Sequence, residues 1–110
     1  MDYFMEGFDT DTVDFMPDTY WLQAGGFDVR RFLEINSGRI KILHLKDMKL
    51  TPNGQSFAEV GEGNLYFKGI IKTAKNIGVI HYVVEQDICE SNPLCSIEKS
   101  FNYLKKENLI

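Results

Sequence analysis

The sequence predicts an α/β fold: a partial (β/α)8 TIM barrel of about three parallel strand–helix units. Three observations predict it. Strand-like runs at residues 13–21, 40–45 and 79–85 alternate with segments of helical period, the order expected of right-handed βαβ crossovers. The middle run, Ile40 to Leu45, is almost continuously apolar, as a parallel strand buried on both faces should be. Each run also delivers a polar, metal-capable side chain at its C-terminal end, where α/β barrels carry their chemistry. A closed barrel needs eight such units, and 110 residues leave room for about three.

Taken in order, residues 1–12 are acidic and irregular, with Asp9 and Asp11 alternating with Thr10 and Thr12, and read as a lead-in to a domain spanning 13–110. The first strand, residues 13–21, contains Pro17. Proline cannot donate to a sheet ladder, so an edge position is expected. Ala24-Gly25-Gly26 breaks the pattern. Asp28 then caps a short helix whose stripe is Val29, Phe32 and Leu33, with Gly38 suited to its stop. After the second strand a loop of about 20 residues is expected from Lys46 to Leu65, carrying Pro52-Asn-Gly54 and Gly61-Glu-Gly-Asn64. Phe67, Ile70, Ile71, Ala74 and Ile77 hold a helical period, and Gly78 follows as its C′ residue. The third strand is β-branched and aromatic. Ser91-Asn-Pro93 opens the last helix, with Leu94, Ile97, Phe101 and Leu104 as its expected buried face and Lys105-Lys106 near the negative end of its dipole.

Composition excludes several classes. A hydrophobic fraction of 44% and a charged fraction of 25% are those of a soluble globular domain. A net charge of −4 argues against a nucleic-acid surface, which carries a basic stripe. No apolar run approaches the roughly 20 residues that span a bilayer, and the N-terminal residues lack a secretory signal pattern. Cys89 and Cys95 form no C-x-x-C pair and read as two free thiols in a reducing, cytoplasmic setting.

Strand alternation puts His44 on the face of Ile42 and Ile40, Glu85 on that of Val83 and His81, and Asp18 on that of Met16. If these faces line a barrel interior, Asp18, His44 and Glu85 converge at one rim. Two carboxylates and an imidazole suit Mn²⁺, Co²⁺, Mg²⁺ or Zn²⁺. Each residue alone has a structural reading as well: Asp18 as a turn cap, His44 as a hydrogen-bonded core histidine, Glu85 as the partner of a surface cation. Three at equivalent strand ends are harder to explain so. Lys46, one step beyond His44 on the same face, either meets a substrate oxygen or faces solvent from the loop. Trp21 either walls a binding site or packs at the rim. His81 reads as a core or barrel-floor residue, and Asp87 as a hydrogen-bonding neighbour of Glu85.

The motifs Asp18-Thr-Tyr-Trp21, Gly38-Arg-Ile-Lys-Ile-Leu-His-Leu-Lys-Asp47, Glu59-Val-Gly-Glu-Gly-Asn64 and Val84-Glu-Gln-Asp87 together resemble the sugar phosphate isomerase/epimerase family, with the xylose isomerase-like TIM-barrel fold. The likeness runs from about Val13 to Lys106 and corresponds to the sixth, seventh and eighth units of that barrel. It implies metal binding by Asp18, His44 and Glu85, with Glu85 moving protons beside a sugar carbonyl through an enediolate. It also implies a sugar, sugar phosphate or inosose as substrate, with Trp21 and Lys46 beside it. The earlier strands, and the second glutamate they carry in that family, are not in this sequence, and Pro17 departs from the family's aliphatic residue. A truncated or split barrel is therefore expected. The alternative is a non-catalytic fragment that assembles with itself or with a complementing chain, since open parallel edges associate.

Overall fold

A computed structural model describes residues 5–110; the first four residues of the expected lead-in lie outside the described residues. Its elements are α1 (Thr19–Ala24), α2 (Val29–Ile35), β1 (Ile42–Leu45), β2 (Asp47–Thr51), β3 (Gly54–Ala58), α3 (Phe67–Asn76), β4 (His81–Val84) and α4 (Pro93–Lys106).

β1 and β4 pair in parallel, with Ile42 opposite His81 and Leu45 opposite Val84. Their alternation splits the sheet into two faces. Leu43 and Leu45 are fully buried against the helices, joined by Leu33, Ile40, Phe67, Ile71 and Leu104. Ile42 and His44 lie on the other face and are only half-buried, while His81 and Val83 there are exposed. His81 is thus not a core residue: the face it belongs to is open.

The expected first strand forms only in part. Phe15 pairs with Ile40 and Asp18 with His44 as isolated parallel bridges, and the chain turns helical at Thr19. Pro17 lies between the two bridges and can donate no ladder bond, though its carbonyl accepts from His44 N at 2.9 Å. Asp18 ends the segment by capping α1, its Oδ1 accepting from Trp21 N at 3.0 Å.

The expected long loop is instead largely a β-hairpin. β2 and β3 pair antiparallel from Asp47 opposite Ala58 to Thr51 opposite Gly54, around a two-residue connection at Pro52 and Asn53. The Pro-Asn-Gly run was the available signal, because short strands around such a turn are a hairpin signature.

The other helices follow the expected stop and start chemistry. Asp28 caps α2 through Arg31 N at 2.9 Å. α3 closes with Gly78 N–H on Lys75 O and Val79 N–H on Ala74 O, the paired bonds of a Schellman stop. Asn92 caps α4 through Leu94 N at 2.9 Å, with Pro93 in the first turn. The face that α4 buries differs from the expected one. Leu94, Ile97 and Phe101 are 75%, 56% and 49% exposed, and the buried positions are Ser96, Ser100 and Leu104. The reason is polar. Val60 N donates to Ser100 Oγ at 3.0 Å, and Ser96 Oγ donates to Glu59 Oε1 at 3.0 Å. Two short hydroxyls let the helix approach a loop whose polar groups need partners, and the apolar stripe is turned outward.

Candidate functional site

Asp18, His44 and Glu85 meet at the C-terminal ends of the parallel segments, with one possible ligand atom from each lying within 4.8 Å of the others. Backbone pairing produces this. The Asp18–His44 bridge sets the first two side by side, and Glu85 follows β4 with its N–H on Leu45 O at 3.1 Å. His44 Nδ1 contacts Glu85 Oε2 directly. The Asp18 side chain is 13% exposed, His44 22% and Glu85 39%, so the cluster is sheltered but reachable.

Lys46 lies at the centre of this group and not in a solvent-facing loop. Its side chain is 2% exposed, and Nζ lies 2.8 Å from Asp87 Oδ1, 3.0 Å from Asp18 Oδ2 and 3.5 Å from Glu85 Oε1. Burial by itself would lower the ammonium's pKa. The hydrogen bonds and charges of Asp87 and Asp18 outweigh it and hold Lys46 above its ordinary value of 10.5. Asp87 therefore partners Lys46. A second residue fixes the lysine from behind: buried Thr19 accepts from Lys46 N at 2.9 Å and donates to Lys46 O at 2.7 Å.

Aromatic rings form one side of the site. Trp21, 54% exposed, and Phe57 lie with ring centroids 5.9 and 5.7 Å from Lys46 Nζ. Tyr20 packs between them, 4.9 Å from Trp21 and 4.6 Å from Phe57. Phe57 was not legible as a site residue because its strand reads as loop. Thr19 carried no more signal than any threonine after an aspartate.

Immediately beside Lys46 sits a second ionic centre. Asp47 is fully buried and accepts four backbone N–H groups: Met48 at 2.7 Å and Leu65 at 3.1 Å on Oδ1, Gly61 and Gly63 at 3.0 Å each on Oδ2. Burial holds its carboxyl above the usual range, and the four amides, which favour the charged form, offset that only in part. This centre explains the Glu59-Val-Gly-Glu-Gly-Asn64 motif. Gly63 lies so close to the Asp47 carboxylate and Met48 O that a Cβ would collide, and Gly61, at φ +93°, abuts the Tyr103 ring. The loop is folded tightly around the carboxylate.

A further groove of about 420 Å³ adjoins the site, lined by Phe8, Phe15, Met16, Asp18, Trp21 and Phe32 among others. Both cysteines are free. Among the described residues, no helix is long and apolar enough to cross a membrane.

Parallel strands that gather acids, an imidazole and a lysine at their C-terminal ends define a unit of the α/β-barrel class. Comparison with protein families agrees: residues 1–107 match the xylose isomerase-like TIM barrel family, and the chain belongs to it. No curated protein matches. Among solved structures, a sugar phosphate isomerase/epimerase of Parabacteroides distasonis ATCC 8503 superposes with a TM-score of 0.81 at 28% identity. A second one from the same organism shares the fold, with a TM-score of 0.81 at 24% identity. Each alignment covers 99% of this chain and 36% of the other, so the chain spans about a third of its neighbours' length.

Proposed function

We propose that this chain contributes the metal-binding end of a sugar isomerase or epimerase. In this reading it supplies the last three strand–helix units of a (β/α)8 barrel, with residues 13–110 as the domain. Asp18, His44 and Glu85 hold one divalent cation. The observation that carries the reading is the convergence of these three donors within 4.8 Å on a chain whose solved neighbour is a sugar phosphate isomerase/epimerase. The donor set fits a hard or borderline ion such as Mn²⁺, Co²⁺, Mg²⁺ or Zn²⁺, being two carboxylates and an imidazole. The cluster already draws a cation, since the Lys46 ammonium lies against Asp18 and Glu85.

When bound, the ion supplies Lewis-acid polarisation of substrate oxygens. The chain's own residues do the rest. Glu85, more open than the other two donors, is the group that takes a proton from carbon beside the carbonyl. Lys46 presents its ammonium to a hydroxyl, carboxylate or phosphate oxygen of the sugar. Trp21 covers one face of the site with Phe57, and Asp87 orients Lys46. Turnover needs the remaining barrel strands to enclose the substrate, supplied by a longer form of the chain or by a partner. The nearest test is calorimetric titration of Mn²⁺ and Co²⁺ into this chain and into His44→Ala. Binding to the first and not the second is expected; absence of binding by the intact chain, even with added barrel strands, ends the reading.

A second reading, assembly as a non-catalytic fragment, is favoured by a separate observation. Of the residues on the faces that would line a barrel interior, Met16 is 56% exposed and Val83 42%, and His81 is exposed as well. Ile40 is fully buried and Ile42 half-buried, so the open patch centres on Met16, His81 and Val83. Leu94, Ile97 and Phe101 add a second apolar surface on α4. A homo-oligomer or a complementing barrel chain would cover both. Sedimentation showing a folded monomer at low micromolar concentration counts against it.

A further inference from the structure

Resting on the metal-site reading, we infer that Lys46 is a built-in competitor for the cation and that Asp87 is the positioning residue that draws it aside when the ion binds. The argument starts from which oxygens are free. Asp18 Oδ1 is committed to the cap of α1 through Trp21 N at 3.0 Å. The remaining oxygen, Oδ2, is the one that Lys46 Nζ approaches at 3.0 Å. Glu85 divides in the same way, with Oε2 on His44 Nδ1 and Oε1 at 3.5 Å from Lys46 Nζ. An ion that uses Asp18 and Glu85 must therefore meet the ammonium at both carboxylates.

Lys46 cannot leave the neighbourhood to make way. Its backbone is pinned by Thr19 at both N–H and C=O, and its side chain is buried. The shortest of its three ion pairs is the 2.8 Å bond to Asp87, whose side chain is 37% exposed. Retreat onto Asp87 keeps the ammonium paired while freeing Asp18 Oδ2 and Glu85 Oε1. Charge favours that arrangement. Asp18, Glu85 and Asp87 bring three negative charges against one positive charge on Lys46, and a divalent ion brings the group to neutrality with the lysine still in place. The site is thus filled by a weak resident cation without metal and shared by two cations with it.

Mn²⁺ titration by calorimetry into the 110-residue chain, K46M, D87N and the K46M/D87N double variant tests this, with circular dichroism reporting that each is folded. K46M is expected to bind Mn²⁺ about tenfold more tightly or better, since a unit charge a few ångströms away is removed. D87N is expected to weaken binding about threefold to tenfold with Lys46 present and less than twofold with Met there, because Asp87 acts through the lysine. Equal affinity of the intact chain and K46M overturns the inference while leaving the metal site standing. So does a D87N effect of the same size in both backgrounds, which marks Asp87 as a plain negative charge. No binding by any of the four, even with added barrel strands, removes the metal reading itself. If K46M does not fold even with Mn²⁺, D87N alone decides, and unchanged affinity there overturns the inference.

Discussion

Lys46 and Asp47 are neighbours in sequence, both buried, both charged, and they face opposite worlds. Lys46 is held by three side-chain carboxylates from two other segments, one at residue 18 and two at residues 85 and 87. Asp47 is held by four backbone N–H groups. Side-chain partners can rotate away and exchange one cation for another. Backbone donors cannot, because moving them unfolds the loop that carries them. One peptide bond therefore separates a centre held by movable side chains from a centre held by the backbone of the scaffold.

The largest expected effect tests the fixed side. In Asp47→Asn the new amide group must face two N–H donors whichever way it turns, since each oxygen of Asp47 receives two. Two buried donors lose their acceptor, so a loss of about 3 kcal/mol is expected, read as a shift in the urea midpoint. A loss below about 1 kcal/mol would show that the loop does not depend on this carboxylate and would break the contrast. Thr19→Val comes next. It removes the hydroxyl that pairs with both Lys46 N and Lys46 O, and about 2 kcal/mol is expected from the same measurement. Thr19 bonds the Lys46 backbone: its substitution should also loosen Lys46, so a stability loss with the Mn²⁺ affinity unchanged would show that the lysine's position does not depend on it.

Much of the fold and of the rim was readable in the sequence, and the unreadable part has a common cause. The order of parallel strands and helices, the caps at Asp28 and Asn92 and the rim position of Asp18, His44 and Glu85 all follow from periodicity and alternation, which are local. The first strand failed at Thr19 because the capping preference of Asp18 competes with extension, and a short-range rule cannot say which wins. Asp47 was hidden because its partners are backbone groups of residues 61–65, and backbone groups leave no trace in composition. The outward face of α4 was misassigned for the same reason. Its apolar residues at helical spacing looked like a core stripe, whereas Ser96 and Ser100 answer polar groups at Glu59 and Val60 that only the folded loop brings there.

The exchangeable side has its own pH signature. The folded-state pKa of Lys46 is raised above 10.5, so its contribution to stability is fully present below the unfolded value and is lost as pH rises through the folded one. Melting temperatures taken from about pH 9 to about pH 12 should therefore fall more steeply for the intact chain than for K46M. Parallel curves would mean that the carboxylates do not hold the lysine as a stabilising ion pair.

The smallest effect is expected where apolar surface is most prominent. Leu94 and Ile97 lie on α4 at 75% and 56% exposed, so replacing either with Gln removes little buried area from the isolated chain. A change within about 0.5 kcal/mol is expected by urea denaturation of the monomer. Ser100→Ala, a smaller chemical change, should cost more, about 1 kcal/mol, because it strips the Val60 N–H of its acceptor. The inverted ranking follows from what holds the helix in place: Ser96 and Ser100 on the polar face bond Glu59 and Val60 in a clasp at the start of the loop that wraps Asp47, while the apolar face is exposed. If Leu94→Gln proves as damaging as Ser100→Ala at concentrations where the chain is monomeric, α4 is anchored by its hydrophobic stripe and the clasp is secondary. If the cost appears only as concentration rises, the stripe is an association surface, and the contrast between a fixed and a responsive half extends to the outside of the fold.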